Sequence, residues 1–165
     1  MHQSLLPDPW VPHFPFTDAL VMTPISPAAS TGWTANRAYY IPVIFPASAT
    51  LYALRAAGGN TTGNYDLALY DANGTRLATK GSTAMAAAVL SLTLPEIRVH
   101  AGTLYYAAVV TDNNSASLYG LVHAGTRYWA ATGCANEESA FPLPVSATRV
   151  GMISVKVPLI AFGVR

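Results

Sequence analysis

"TGNYDLALYDANGTRLATKG", residues 62–81, reads as two short strands joined at Asn73-Gly74. Tyr65, Leu67 and Leu69 fall on one face and Asp66 and Ala68 on the other, the period-2 alternation of a half-buried strand. Asn-Gly between such runs is a strong hairpin signal, because both central residues of a type I′ turn take positive φ. Outward from this hairpin the β pattern continues. Strands are predicted at Tyr39–Phe45, Ala49–Ala56, Asn64–Tyr70, Thr75–Lys80, Val89–Leu94, Leu104–Thr111, Leu118–Val122 and Thr126–Ala131. A last strand, Ile153–Val164, is broken at Pro158. Turn clusters at Gly58-Gly59-Asn60, Asp112-Asn113-Asn114 and Gly133 separate them. Strands spaced by about 8–12 residues predict an all-β fold, a jelly roll or β-sandwich, rather than βαβ units. A short helix is predicted over Thr83–Leu90, where TAMAAAVL is rich in alanine. The segment TGCANEESAFPLPVSATR, residues 132–149, carries few strand signals and reads as a long loop.

Residues 1–37 differ from the β domain expected over residues 38–165. Six of the twelve prolines lie there, at Pro7, Pro9, Pro12, Pro15, Pro24 and Pro27. Each removes a backbone donor and fixes φ, so neither a helix nor an interior strand can run through them. The only charged residues before Arg37 are Asp8 and Asp18, and Leu5, Leu6, Trp10, Phe14 and Phe16 stand between the prolines. Disordered tails are rich in charge and poor in aromatics. This is the composition of an extended, adhesive arm. Ordering about 25 residues costs on the order of 25–50 kcal/mol of backbone entropy. At roughly 25 cal/mol per Å², the offsetting apolar burial is roughly 1,000–2,000 Å², part of it expected from a neighbouring chain.

The 165 residues are 52% hydrophobic and only 10% charged, against about 25% charged in ordinary domains. So thin a charge cover implies that other chains hide much of the surface. The net charge of +1 and the scatter of nine basic residues argue against a nucleic-acid partner. No apolar run approaches the 18 residues of a membrane span, so no membrane partner is expected. The start, MHQSLLPDPW, has no basic n-region or apolar h-region, so no secretory signal is expected. Cys134 is the single cysteine, which excludes an internal disulfide and fits a reducing cytosol. The sequons at Asn60, Asn73 and Asn113 sit in turns, where Asn is wanted for backbone reasons.

Residues 63–83, GNYDLALYDANGTRLATKGST, resemble a recurring segment of β-sandwich domains in tailed-phage virion proteins: tail fibres, head fibres and capsid decoration proteins. There a strand with two Tyr-Asp pairs turns through a Gly-containing loop and returns through Arg-Leu, as Arg76-Leu77 does here. Residues 94–114, LPEIRVHAGTLYYAAVVTDNN, are similar to the companion strand pair. The resemblance spans about residues 50–122. It implies a structural or attachment role in a virion and carries over no catalytic residues.

No residue pattern points to chemistry. His2, His13, His100 and His123 lack metal-ligand spacing, and no metal or cofactor is expected. No G-x-S-x-G occurs, and Cys134 has no partner in sequence to activate it. Asp112-Asn113-Asn114 offers oxygens to a calcium ion, but the full loop motif is missing and a plain turn fits better. Asp71 reads as a turn residue, and Asp66 points away from the predicted core face. Trp33, Tyr119, Tyr128 and Trp129 form a candidate glycan platform, set against the ordinary fate of large aromatics as core or interface.

The expectation is a non-enzymatic virion protein, assembled in the host cytoplasm, most simply a capsid decoration (cement) protein. Its β domain is the rigid body, and Leu5, Leu6, Trp10, Phe14 and Phe16 of the arm dock on neighbours. Those neighbours are its own copies, as a homotrimer, and other virion proteins such as the major capsid protein. The alternatives are a tail-fibre or head-fibre component and a carbohydrate-binding receptor-recognition module.

Overall fold

The computed structural model describes residues 27–30, 33–122, 132–151 and 156–165. The described chain is all-β and its strand pairs are antiparallel. Thirteen strands are described: β1 (Pro27–Ser30), β2 (Ala38–Ile44), β3 (Ala49–Ala57), β4 (Asn64–Asp71), β5 (Arg76–Thr79), β6 (Thr83–Ala84), β7 (Val89–Val99), β8 (Leu104–Thr111), β9 (Leu118–Val122), β10 (Ala135–Glu137), β11 (Val150–Gly151), β12 (Lys156–Pro158) and β13 (Ile160–Val164). They form a seven-stranded sheet, β11-β10-β2-β8-β4-β5 with β6 also on β4, and two three-stranded sheets, β13-β3-β7 and β1-β9-β12.

The alternation seen in the hairpin explains how the sheets stack. Tyr39, Ile41, Val43, Tyr65, Leu67, Leu69, Tyr105, Ala107 and Val109 line the inner face of the large sheet. They share one apolar cluster with Leu54, Ala56, Leu90, Leu92, Ile160 and Phe162 of the β13-β3-β7 sheet. Two sheets face to face over one core is an arrangement consistent with a β-sandwich. Phe45 makes edge-to-face contacts with Tyr105 at 6.0 Å and Phe162 at 5.3 Å, tying the two layers.

The quoted hairpin forms, with a different turn. Positive φ is carried by Gly74 (88°) and not by Asn73. Gly74 N–H donates to Asp71 O at 3.1 Å, Asp71 N–H donates to Thr75 O at 3.0 Å, and the register slips between Leu69 and Tyr70. This is the type I turn with a left-handed glycine bulge, not type I′. The Asp71 carboxylate selects it by accepting from the N–H groups of Asn73 (2.9 Å) and Thr75 (2.8 Å).

Other expectations need correction. The helix over Thr83–Leu90 is absent. Thr83 and Ala84 are strand β6, paired with β4, and Val89-Leu90 begin β7. Two turns of alanine cannot compete with an open sheet edge and a core position for Leu90. β7 runs on past Leu94 to Val99 through a bulge at Pro95-Glu96, where Glu96 takes φ 51°. Residues 27–30, assigned to the arm, form β1 on β9, with Pro27 as first residue of a strand paired on one side only, where its missing donor costs nothing. β10, inside the segment read as a loop, and β11, which follows directly after it, were not expected. β10 pairs with Ala38–Tyr40 of β2 and stops before Pro42, which has no N–H to offer. The strand expected at Thr126–Ala131 and the arm residues 1–26 lie outside the described residues.

The β1-β9-β12 sheet is held to the core by Trp33. It is fully buried, stands edge-on to Tyr39 at 5.0 Å and donates its indole N–H to Leu118 O at 3.3 Å. The Lys156 ammonium lies 4.9 Å from its ring, and burial lowers the pKa of that amine. Gly120 of β9 is what allows the approach: a Cβ there would sit 2.5 Å from Val157 O and 2.9 Å from the Trp33 ring. Replacing Gly120 by Ala should therefore cost about 1–3 kcal/mol by overpacking, read as a lower urea midpoint with an unchanged m-value.

Candidate functional site

The 132–149 segment is a strap rather than an open loop. Residues 138–149 cross the outer face of the large sheet. They cover a second apolar cluster of Ala38, Tyr40, Ala68, Tyr70, Ala108 and Val110, into which Ala140 and Leu143 are buried. The face that the hairpin's alternation presents as polar is thus a second interior.

Its centre is Asp66. The carboxylate does point away from the main core, as the alternation predicts, yet its exposure is 0%. It accepts from Thr79 Oγ1 at 2.9 Å, Gly81 N–H at 2.8 Å and Leu143 N–H at 3.0 Å. One side chain therefore joins β4, the end of β5 and the strap. Around it the strap's polar groups are matched in turn. Tyr70 donates its hydroxyl to Pro144 O at 2.6 Å, and the Arg76 guanidinium donates to Leu143 O. Tyr40 donates to Glu137 Oε2 at 2.8 Å, and the same oxygen accepts from Thr148 N–H at 2.9 Å. Beyond the sheet the strap caps the edge of β5: Arg76 N–H donates to Val145 O and Ala147 N–H to Gly74 O, both at 2.9 Å. Arg149 closes it, stacked 4.0 Å from the Tyr106 ring centre and donating to Ala72 O at 2.8 Å.

The remaining described acids also find partners within the chain. Asp112 accepts from Asn64 N–H and from its side-chain amide, both at 2.7 Å, so the oxygens considered for calcium hold the turn instead. Asn114 Oδ1 accepts from Ala35 N–H at 2.7 Å. Glu138 pairs with Arg37 at 2.5 Å and Glu96 with Arg165. Asn60 accepts from Ser117 N–H at 3.1 Å and donates to Ser115 O at 2.8 Å, which makes that sequon asparagine a structural pin. His100 is exposed, and among the described residues no three His, Cys, Asp or Glu side chains gather as a metal site. Cys134 is buried, and burial pushes its thiol up to about 11, away from nucleophilic use.

Of the candidate glycan platform, Trp33 is unavailable. Trp33, its first member, is in the core and cannot offer a face to a sugar, because the indole holds two sheets together. Tyr119 is 41% exposed. Tyr128 and Trp129, like Leu5, Leu6, Trp10, Phe14 and Phe16, lie outside the described residues. Sequence reasoning missed a different surface: the outer face of the β13-β3-β7 sheet. There Arg55, Ala56, Ala57, Val89, Leu159 and Ala161 line a shallow apolar depression of about 230 Å³, with Val89 62% exposed. The usable signal was an isolated valine at the start of a strand whose other outward residues are small or polar.

No protein-family model matches the chain, no curated protein matches it significantly, and no solved structure matches its fold significantly.

Two outcomes follow from the strap. Asp66→Ala leaves the Thr79 hydroxyl and the Gly81 and Leu143 amides without their acceptor, so stability should fall by about 3 kcal/mol or more. Asp66→Asn, which still accepts, should lose less; both are read from urea unfolding. The second outcome concerns alkali. Burial raises the pKa of Tyr40, reinforced by the Glu137 carboxylate. Burial also raises that of Tyr70, against the opposing pull of its hydrogen bond with Tyr40 and of the Arg76 charge. The unfolded chain releases these protons near pH 10 while the folded chain keeps them. Their stabilisation is complete below that pH and is lost above it, at about 1.4 kcal/mol per pH unit per tyrosine. Unfolding free energy measured from about pH 9 to 11 should fall steeply, and the Tyr40→Phe/Tyr70→Phe variant should flatten the decline.

Proposed function

We propose that this chain is a non-enzymatic structural protein of a tailed-phage virion, and within the virion a capsid decoration protein that docks on neighbouring subunits. The observation that carries the reading is the use made of its carboxylates. All six acids among the described residues, Asp66, Asp71, Glu96, Asp112, Glu137 and Glu138, accept hydrogen bonds from this chain's own backbone or side chains. Acid–base or glycosidic chemistry needs carboxyl groups held toward a substrate; here they fasten strands, turns and a strap. Charge is 10% of the sequence, and exposed aliphatics stand at Ile44, Val89, Val145 and Val150. That surface suits burial against other chains better than permanent contact with water.

On this reading the β body, a jelly roll in the finer assignment, supplies a rigid block and residues 1–26 the anchor. Closed rotational symmetry is expected of such parts, and a trimer fits the precedent of decoration and fibre proteins. Light scattering on the purified full chain should give three times the 17.4 kDa chain mass. An antibody against it should label the heads of tailed particles released by the cells that encode it. A monomer that turns over or tightly binds a small molecule would sink the reading, and label confined to tail tips would move it to a fibre.

A further inference from the structure

We propose that the depression on the outer face of the β13-β3-β7 sheet is the seat for the N-terminal segment, residues 1–26, of a neighbouring copy of this chain. This rests on the docking reading above and names the surface that the anchor grips.

The shape of the face comes from its sequence. Outward positions on these three strands are small: Ala57 lies opposite Val89, and Ala161 and Ser91 flank Arg55. Leu159, in the turn between β12 and β13, forms the end wall. Its position is fixed by an N–H donated to Tyr119 O at 2.9 Å. At about 230 Å³ the depression falls below the roughly 300–1,000 Å³ of small-molecule pockets. It matches instead one or two large side chains, the scale at which aromatic anchors bind.

Two observations select the occupant. The first is chemistry: residues 1–26 carry Leu5, Leu6, Trp10, Phe14 and Phe16 between prolines, the apolar anchors that an alanine-floored groove with a valine and a leucine wall accommodates. The prolines disfavour pairing along a strand edge, so side-chain insertion into a groove is the mode left. The second is position. The segment joins the described body at Pro27 of β1, which pairs with Leu121 of β9, while β12 on the other side of β9 leads directly into Leu159. Joining point and seat therefore lie two strand spacings apart, on either side of β9. Twenty-six residues can span about 85 Å, roughly twice the width of a body of this size. That reach carries the anchors onto an adjacent copy.

The test uses the full chain with the photo-crosslinking residue p-benzoylphenylalanine in place of Val89, an exposed side chain outside the core. Crosslinker-bearing copies are mixed with uniformly 15N-labelled unmodified copies, and the crosslinked peptides are identified by mass. The expected products join position 89 to peptides within residues 1–26 of the labelled copy. Their yield should drop about tenfold or more when the labelled copies carry Trp10→Ala, Phe14→Ala and Phe16→Ala. A filled seat, Ala161→Glu with circular dichroism unchanged, should abolish them. Crosslinks confined to the same copy, crosslinks to any other segment, or none at all would overturn the proposal. A full chain that remains a trimer with crosslinks elsewhere removes the seat and leaves the docking function standing; a full chain that is monomeric removes both.

Discussion

The buried carboxylate of Asp66 is the constraint on which the outer half of this molecule depends. A charge taken out of water is tolerated only when its lone pairs are filled. Here a hydroxyl and two backbone amides fill them, from β5, from the turn before β6 and from the strap. The strap can lie on the sheet only because its own amides and carbonyls find partners there, and the carboxylate supplies the deepest of them. Once the strap is in place, Tyr40 and Tyr70 are sealed, Glu137 is oriented, and the edge of β5 is closed against another strand. Edge closure matters in a chain with so little charge, since an open apolar edge is a template for aggregation.

The inner half depends on a different device. Trp33 stands between the large sheet and β1-β9-β12, and it fits because Gly120 has no side chain. Its indole N–H reaches Leu118 O, so the aromatic contributes burial and a satisfied donor together. The two devices share a logic that bears on function. Polar side chains of the described chain are spent on its own backbone, in turns at Asp71, Asn60 and Asp112 and in the strap. Exposed aliphatic side chains remain at Ile44, Val89, Val145 and Val150.

The strands were legible where turn clusters bound runs of aromatic, branched and small apolar residues. β2, β3, β4, β8 and β9 lie within a residue or so of their expected bounds, although β2, β4 and β8 are buried on both faces. Short elements were not legible. β10 and β11 have three and two residues, too few for any period to register; β10 forms on the edge that β2 offers, and β11 forms on β10. The alanine run at residues 84–88 illustrates the converse: local helix preference was real but small, and tertiary pairing of Thr83-Ala84 overrode it.

By itself, the sequence determined the all-β class, the hairpin at Asn73-Gly74, and the inward set of Tyr65, Leu67 and Leu69. These depend on local periodicity and on φ, which neighbouring residues carry within themselves. Only the tertiary structure decided that Asp66 is an interior residue, that Trp33 is core rather than platform, that the 138–149 segment is a second layer, and that Val89 stands exposed beside an apolar depression. Each of those depends on what lies across the sheet from a residue, dozens of positions away in the chain. A face that alternation marks as polar is solvent-exposed only if nothing returns to cover it, and in this protein something does.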